Sequence, residues 1–534
     1  MEAALYKVLI SDKYSDKGIE RFRSNPEMEV DYKPGLTPDE LMAIIGDYDA
    51  LAVRSATKVT EEVFAKATKL KVVGRAGIGV DNIDLNAATK SGICVMNTPG
   101  GNTITTAEHT IAMLMSLTRN IPAANSSLKS GKWEKPKFIG TEVMGKTLGV
   151  IGLGNIGKVV ASLARGLQMK VLGFDPFVSD EKAHKMGVRK ATLDEIWAQS
   201  DYITVHVPRT EKTTGMINAE TIAKMKDGVR ILNCARGGIV DEQALIEGLR
   251  SGKVKGAALD VFEKEPPAAD HPLLSMDNVV TTPHLGASTT EAQDNVGIMV
   301  ADQIIDFLLN GTIYNSVNVP SMTAEEMKIA APFLMIAERL GSMQAQLSHE
   351  APARMELLYG GEASELPKEP IKAAALKGFM SHIAEVDVNL INAGYLASDR
   401  GIEVQEITQE NVKGFDNLVG IRAVYNDGKF RNLQGAKMAV GDVRMVLYND
   451  HQTDIELQDY LLVISNHDRP GVVGEVGMIL GKSEINIANL RLSRRTKDSQ
   501  ARLMITIDSP APEAVMEQIR SLPNVIKARQ VCFC

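Results

Sequence analysis

A glycine-rich turn between a strand pattern and a helix pattern is the strongest local signal in the sequence. The turn places Gly152, Gly154 and Gly157 in the spacing G-x-G-x-x-G, directly after the apolar run Thr147–Ile151. Such glycines let a pyrophosphate approach the backbone, and the N-terminus of the following helix offers free N–H groups. Asp175 ends the next strand-like run. Its carboxylate can bind a ribose and would repel a 2′-phosphate, so the pattern predicts NAD binding.

The chain around this turn alternates short apolar runs with helical patterns, which predicts parallel sheets covered on both faces. The chain has 534 residues, and at about 150 residues per domain this indicates three or four domains. The predicted strands are Lys7–Ile10, Ala50–Val53, Leu70–Val73, Ile93–Met96, Thr147–Ile151, Val171–Phe174, Tyr202–Val205, Val229–Leu232 and Ala257–Leu259. Capping boxes at Thr37–Glu40 and Ser288–Glu291 predict two helix starts, the second helix running to about Asn310. We therefore expect two doubly wound α/β domains.

The C-terminal part of the chain follows other patterns. Residues 317–456 carry no nucleotide-binding fingerprint, whereas residues 457–534 show the order βαββαβ of a ferredoxin-like sandwich. We predict four domains: residues 1–98 with 286–316, residues 99–285, an α+β domain of residues 317–456, and residues 457–534.

The composition excludes several classes of partner. Acidic residues outnumber basic ones by 67 to 59, which gives a net charge of −8 and disfavours nucleic acid or an anionic membrane as a partner. The sequence holds no apolar run of about 18 residues, so we expect no membrane span. The first residues do not resemble a secretory signal. The four cysteines are scattered, which is not typical of a disulfide framework, and we expect a cytoplasmic protein.

Three residues in the second half of the α/β region have the chemistry of a catalytic site. Arg236 follows a predicted strand and would lie at the carboxyl end of the sheet, where its guanidinium suits a carboxylate. His284 lies in a loop after Pro283 and is a candidate proton shuttle. Glu265 is a candidate partner that would raise the pKa of His284. Each of the three, taken alone, is also compatible with a structural role.

Taken together, the glycine-rich turn, Asp175, Arg236, Glu265 and His284 resemble the D-isomer-specific 2-hydroxyacid dehydrogenases in order and spacing, over about residues 5 to 316. The resemblance implies that Arg236, Glu265 and His284 are catalytic, that NAD is the cofactor, and that no metal is needed. The residues it implies for cofactor binding are Gly152, Gly154, Asn155, Ile156, Gly157, Asp175, Val207, Cys234, Ala235, Arg236, Asp260, His284, Gly286 and Ala287.

A narrower resemblance, carried by residues 53–60, 73–84 and 96–102, is to the members of this family that oxidise D-3-phosphoglycerate in serine biosynthesis. It implies D-3-phosphoglycerate as the substrate. The residues it implies for substrate binding are Arg54, Ser55, Arg75, Asn102 and Arg236. Residues 317–456 would then be the intervening domain found in the long form of these enzymes.

The last unit resembles an ACT domain, a small regulatory domain that binds amino acids, through residues 465–472 and 484–488. The resemblance implies that Asn466, Asp468 and Asn486 hold L-serine as an effector. The alternative is an ACT domain that only dimerises. The family also implies a homo-oligomer, either a dimer or a tetramer.

Two other functions are compatible with these patterns. The first is a dehydrogenase for another D-2-hydroxy acid; reduction of 2-oxoglutarate is compatible with the main interpretation, as a side activity of an enzyme that oxidises D-3-phosphoglycerate. The second is a non-catalytic protein that senses NAD with the same fold. Three positions depart from common family usage: Asn155 replaces a frequent Arg, and Ile78 and Val207 replace a frequent Thr. These departures bear on the affinity for the cofactor and leave the reaction class unchanged.

Overall fold

The computed structural model describes residues 5–319, 322, 324–348, 350–409, 415, 417–438, 441–494 and 500–533. Within these residues the chain forms four β-sheets, of five, seven, six and four strands. None of the described helices is both long enough and apolar enough to cross a bilayer.

The first sheet is parallel, with the order β2-β1-β3-β4-β5. Its strands β3 and β5 are entirely buried, as expected for runs covered by helices on both faces. Thr37 and Glu40 form the predicted capping box of α2. The elements are β1 (Tyr6–Ile10), α1 (Asp16–Arg23), β2 (Met28–Tyr32), α2 (Pro38–Ile44), β3 (Ala50–Val53), α3 (Glu61–Lys66), β4 (Val72–Arg75), α4 (Leu85–Lys90) and β5 (Cys94–Met96).

The second sheet is also parallel, with the order β12-β11-β10-β9-β6-β7-β8. The strand order reverses between β6 and β9, and ligands bind at the carboxyl ends of the strands at such a point. The elements are α5 (Thr103–Thr118), α6 (Ile121–Lys129), β6 (Thr147–Ile151), α7 (Asn155–Gly166), β7 (Lys170–Phe174), α8 (Asp180–Lys185), β8 (Arg189–Lys190), α9 (Leu193–Gln199), β9 (Tyr202–Val205), α10 (Ala219–Lys224), β10 (Val229–Asn233), α11 (Glu242–Ser251), β11 (Val254–Leu259) and β12 (Val279–Thr281).

The long helix α12 (Thr290–Asn310) leads back from the second sheet to the first. It approaches β4 so closely that a Cβ on Gly74 would lie 2.6 Å from a methyl carbon of Val300. The capping box predicted from Ser288 is wrong in register. The N-cap is Thr289, whose hydroxyl accepts a hydrogen bond from the N–H of Ala292.

The third sheet is mixed, with the order β14-β13-β15-β16-β17-β18. Helices α13 and α15 pack so closely that a Cβ on Gly341 or Gly378 would lie about 2.0 Å or less from a carbonyl oxygen of the facing helix. The elements are α13 (Ala324–Gln346), β13 (Arg354–Gly361), α14 (Glu362–Glu365), α15 (Lys368–Met380), α16 (Ala393–Asp399), β14 (Glu403–Gln409), β15 (Asn417–Val424), β16 (Phe430–Lys437), β17 (Val443–Tyr448) and β18 (His451–Glu456).

The fourth sheet is antiparallel, with the order β20-β21-β19-β22, and it has the predicted βαββαβ sequence of elements. One of its faces packs on α17 and α18. The other face places Leu461, Val463, Met504 and Val531 in the core of the third sheet. The elements are β19 (Tyr460–His467), α17 (Val472–Lys482), β20 (Ile487–Arg494), β21 (Gln500–Ile507), α18 (Glu513–Arg520) and β22 (Val525–Cys532).

Candidate active site

A cleft of about 950 Å³ lies between the first and second sheets. Basic side chains from both sides line it, together with a His and acidic groups. The lining includes two basic residues, Lys58 and Arg209, that were not predicted. The predicted residues that line the cleft are Arg54, Ser55, Arg75, Asn102, Arg236, Glu265 and His284. Such a concentration of cations in an acidic chain suits a small anion.

His284 and Glu265 form a hydrogen-bonded pair at the cleft, with 2.7 Å between Nδ1 and Oε2. The other oxygen of Glu265 accepts a hydrogen bond from the N–H of Phe262 at 3.1 Å. Burial alone would raise the pKa of Glu265, but the hydrogen bonds from His284 and Phe262 lower it overall. The hydrogen bond to Glu265 raises the pKa of His284, although burial of the imidazole alone would lower it. Because Nδ1 is engaged by the carboxylate, Nε2 is the ring nitrogen that can exchange a proton with a ligand.

Arg236 is held at the turn after β10 by its neighbours. The side chain of Asn233 accepts a hydrogen bond from the N–H of Ala235 at 3.0 Å and donates one to the carbonyl of Arg236 at 2.8 Å. The Arg236 Nε atom donates to Asp81 Oδ2 of the first domain at 3.1 Å. A Cβ on Gly79 would lie 1.9 Å from an Arg236 nitrogen, so a side chain at this position would displace the guanidinium. Neither Asn233 nor Asp81 was among the residues predicted to form the site.

Arg54 and Arg75 extend from the ends of β3 and β4 of the first sheet. The backbone N–H of Arg54 donates to Asp12 at 2.6 Å, and Asp12 also binds Thr57, so this buried carboxylate shapes the loop. Arg75 is largely buried, and its Nε has no hydrogen-bond partner among the described residues. Burial and the charge of Arg236 lower the pKa of Arg75 to about 10. Both effects destabilise the charged guanidinium, and an anionic ligand beside it would stabilise it.

The second cavity, of about 460 Å³, continues from this cleft along the carboxyl ends of the second sheet. It shares Arg75, Asn102, Arg236 and His284 with the first cavity. The residues predicted to bind the cofactor that line it are Asn155, Ile156, Val207, Cys234, Ala235, Arg236, Asp260, His284, Gly286 and Ala287. Arg236 and His284 therefore lie where the two cavities meet.

The predicted glycines lie beside this second cavity and fit a dinucleotide. A Cβ on Gly152 or Gly157 would lie 2.4 Å or 1.9 Å from a backbone oxygen, so both positions require glycine for the turn itself. A Cβ on Gly154 would meet no protein atom within 4 Å, which leaves open space at the start of α7. Asp175 accepts hydrogen bonds from the N–H groups of Leu153 and Phe177 at 2.9 and 2.8 Å and so holds the turn from the next strand. This arrangement fits a pyrophosphate at the N-terminus of α7.

Asp260 is almost fully buried beneath His284. It accepts hydrogen bonds from the N–H groups of Leu285 and Gly286 at 2.7 and 2.8 Å and from the Thr282 hydroxyl at 2.6 Å. His109 Nε2 lies 3.2 Å from the same carboxylate. Burial opposes ionisation, but these donors hold the pKa of Asp260 below its ordinary value. The carboxylate therefore fixes the loop that carries His284.

Comparison with known proteins agrees with these observations. Models of three families match the chain: "D-isomer specific 2-hydroxyacid dehydrogenase, NAD binding domain" at residues 111–286, "D-3-phosphoglycerate dehydrogenase intervening domain" at residues 329–449, and "ACT domain" at residues 460–524. The D-3-phosphoglycerate dehydrogenase of Archaeoglobus fulgidus is 43% identical, over 98% of this chain and 99% of its own. That of Bacillus subtilis is 42% identical, over 99% of both chains. The chain belongs to the D-3-phosphoglycerate dehydrogenases.

Solved structures of other 2-hydroxyacid dehydrogenases and reductases match a little over half of this chain. The D-lactate dehydrogenase of Escherichia coli has a TM-score of 0.53 and 27% identity, over 58% of this chain and 99% of its own. A glyoxylate reductase from Paecilomyes thermophila has a TM-score of 0.54 and 28% identity, over 59% and 98%. The predicted fold class and the NAD-binding domain are confirmed.

The structure does not bring together the three residues predicted to bind an effector. Asn466 and Asp468 lie where β19 ends, beside the start of β21, whereas Asn486 precedes β20 at the opposite end of the sheet, and each is engaged elsewhere. Asn466 is buried and donates to the carbonyl of His467 at 2.9 Å, while its Oδ1 has no partner among the described residues. Asp468 is paired with Arg494 at 2.8 Å. Asn486 donates to Asp508 at 2.7 Å. Their role in binding an effector stays a prediction.

A metal site has no support in the described part of the chain. Among those residues, no group of three or more His, Cys, Asp or Glu side chains is placed to hold a metal ion.

Proposed function

We propose that the chain oxidises D-3-phosphoglycerate to 3-phosphohydroxypyruvate with NAD, using Arg236, Glu265 and His284. The observation that carries this proposal is the position of Arg236 and His284 at the junction of the two cavities. A substrate in the cationic cleft and a dinucleotide in the second cavity would meet beside these two side chains. The names of the full-length relatives supply the substrate.

Each arginine of the cleft is assigned to one of the charged groups of the substrate. Arg54 lines only the outer cleft, whereas Arg75 and Arg236 line both cavities. We assign Arg54 to the phosphate group of the substrate, and Arg75 and Arg236 to its carboxylate and C2 oxygen. The planar guanidinium group matches both kinds of anion with paired N–H donors.

The oxidation removes a proton from the C2 hydroxyl oxygen and a hydride from C2. His284 Nε2 accepts the proton of the C2 hydroxyl, and Glu265 stabilises the imidazolium through its hydrogen bond to Nδ1. Bound NAD supplies the acceptor for the hydride. Arg236 stabilises the negative charge that develops on the C2 oxygen as the proton leaves. The products are the 2-oxo acid, NADH and one proton.

Initial rates of NADH formation test this assignment. D-3-phosphoglycerate, D-glycerate and D-lactate should be compared as substrates of the full-length protein. We expect D-3-phosphoglycerate to give the highest kcat/KM, because only this substrate carries a phosphate for Arg54. Higher efficiency with D-lactate or D-glycerate would identify a dehydrogenase for another 2-hydroxy acid, and binding of NAD without turnover of any acid would identify a sensor.

We also propose that the chain acts as a cytoplasmic homo-oligomer inhibited by L-serine at Asn466, Asp468 and Asn486. The ACT match supports the effector. The cysteines that are described are free thiols, which suits a reducing compartment. Serine added to the same assay should lower the rate of the full-length protein, and Asp468→Ala should abolish that effect while turnover without serine is retained.

A further inference from the structure

The loop that follows β9 lies directly against the glycine-rich turn. Ile151, the last residue of β6, is paired with Val205, the last residue of β9. The N–H of His206 donates to the carbonyl of Ile151 at 2.7 Å. A Cβ on Gly152 would lie 2.4 Å from the carbonyl oxygen of His206. The two segments therefore leave neighbouring strands side by side, at the edge of the sheet where a dinucleotide would bind.

Arg209 is the basic residue of this loop that lines the second cavity. It is exposed, and it lines the cationic cleft as well. Its guanidinium lies over the turn that follows β10, since a Cβ on Gly238 would lie 3.1 Å from the Arg209 Cζ atom. The chain thus leaves the glycine-rich turn at His206 and, three residues later, places a cation beside the turn that carries Arg236.

The charge of Arg209 is free for a ligand. Its guanidinium makes no ion pair or hydrogen bond with any residue that the structure describes. The other two guanidinium groups that line the second cavity belong to Arg75 and Arg236, which we assign to the carboxylate and C2 oxygen of the substrate. Arg236 is also held by Asp81, at 3.1 Å. Arg209 is therefore the guanidinium group of this cavity that remains for the cofactor.

The start of α7 lacks a side-chain cation of its own in this cavity. Asn155 lines the cavity but is neutral, and its Oδ1 accepts a hydrogen bond from Lys158 at 3.3 Å. Lys158 is exposed and is absent from the described lining. The N–H groups at the N-terminus of α7 can bind a phosphate, but a pyrophosphate carries a negative charge on each of its two phosphates. A second source of positive charge is needed from a neighbouring loop.

We propose that Arg209 binds the pyrophosphate of NAD, as the side-chain cation that complements the N-terminus of α7. A planar guanidinium can donate to two phosphate oxygens at once, which a neutral side chain at this position could not do with the same strength. The inference rests on the proposed function in one respect, that NAD is the cofactor. It adds the residue of this chain that sets the affinity for the charged part of the dinucleotide.

Fluorescence titration of NADH into the full-length protein, without substrate, tests this role. Arg209→Gln removes the charge and keeps a polar side chain, and we expect the Kd for NADH to rise about tenfold, as for the loss of one charged hydrogen bond. Arg209→Lys keeps the charge and should lose less affinity. Lys212→Gln is the matched control, because Lys212 is an exposed cation of the same loop that lines neither cavity. It should leave the Kd unchanged.

Fragments of the cofactor locate the contact, and competition against NADH measures their affinities. ADP carries both phosphates and nothing of the nicotinamide half, whereas adenosine carries no phosphate. Arg209→Gln should weaken the binding of ADP as much as that of NADH and leave adenosine unchanged. Loss of affinity for NADH alone would assign Arg209 to the nicotinamide half. Loss of affinity for adenosine would show a general distortion of the site. Either result contradicts the proposal.

The substrate is the competing ligand, because Arg209 also lines the cationic cleft. An unchanged Kd for NADH in Arg209→Gln, with a raised KM for D-3-phosphoglycerate, would assign the guanidinium to the phosphate of the substrate and overturn the proposal. Loss of NADH affinity in Lys158→Gln but not in Arg209→Gln would also overturn it, by placing the cation on α7. Failure of the proposed function is a separate result: the wild type itself would bind NADH without oxidising any 2-hydroxy acid.

Discussion

At the residue scale, the chemistry depends on the hydrogen bond between His284 Nδ1 and Glu265 Oε2. This bond raises the pKa of His284. Only the neutral imidazole accepts the substrate proton, so oxidation should be lost as the pH falls through that raised pKa. Glu265→Gln removes the carboxylate charge, and we expect the acidic limb of the kcat/KM profile to move to lower pH while kcat falls. An acidic limb that does not move would show that Glu265 does not set this pKa.

Arg54 is the residue that should discriminate phosphorylated from unphosphorylated substrates. We expect Arg54→Gln to raise KM for D-3-phosphoglycerate by about tenfold, as for a lost charged hydrogen bond, and to leave KM for D-glycerate nearly unchanged. Steady-state kinetics with both substrates measures this. Arg23→Gln, at the exposed end of α1, is the matched control. Equal losses for both substrates would assign Arg54 to the carboxylate instead.

The sequence indicated the residues with recognisable chemistry and missed those that support them. Arg236, Glu265 and His284 were predicted, and the structure places all three at one cleft. Asn233 and Asp81, which bind the backbone and side chain of Arg236, gave no separate signal. Asn and Asp are common in turns for local reasons, and their contact with Arg236 depends on how the two domains face each other.

At the scale of elements, the glycines of the strand-turn-helix unit β6-α7 have two different roles: one is needed for the turn to form, and the other leaves space for a ligand. Gly157→Ala places a Cβ 1.9 Å from the carbonyl oxygen of Gly152, whereas Gly154→Ala meets no protein atom. We expect Gly157→Ala to lower the thermal midpoint of unfolding. Gly154→Ala should keep that midpoint and weaken NADH binding, measured by fluorescence titration. Unchanged NADH affinity in Gly154→Ala would contradict a pyrophosphate at this turn.

The bounds of most buried strands were predicted to within one or two residues, although β11 begins three residues before its predicted start. Two exposed strands of the first and third sheets were missed. The predicted bounds of β6 and β9 agree with the structure, because these runs are apolar and almost wholly buried. The edge strand β2 (Met28–Tyr32) was missed, since most of its residues are exposed or half-buried and it contains two acidic residues. Strand β14 (Glu403–Gln409) is polar and mostly exposed, so its apolar pattern is too weak to separate it from a loop.

At the scale of the whole molecule, the surface of the NAD-binding domain indicates association. Five large apolar side chains of one segment are exposed: Ile121, Leu128, Trp133, Ile139 and Met144, by 51, 58, 81, 82 and 64%. Exposed apolar residues grouped in this way are typical of an interface. Two of these side chains lie on α6 and three lie on the chain that follows it. We expect a second copy of the chain to cover residues 121–144.

Sedimentation velocity measures this association. We expect the wild type to sediment as a dimer or a larger oligomer, and Trp133→Asp to shift it toward the monomer by placing a charge in the interface. Phe177→Asp, at an exposed position outside this segment, is the control. A wild type that is monomeric at micromolar concentration would refute the interface.

The most direct measurement of the central claim is the rate of NADH formation from D-3-phosphoglycerate by the wild type and by His284→Ala. General-base catalysis contributes about 10²–10⁴-fold, so we expect kcat to fall by that factor. NADH affinity, measured by fluorescence, should stay within a few-fold because the glycine-rich turn and Asp175 are untouched. Turnover by His284→Ala close to that of the wild type would contradict the assignment of His284 as the base.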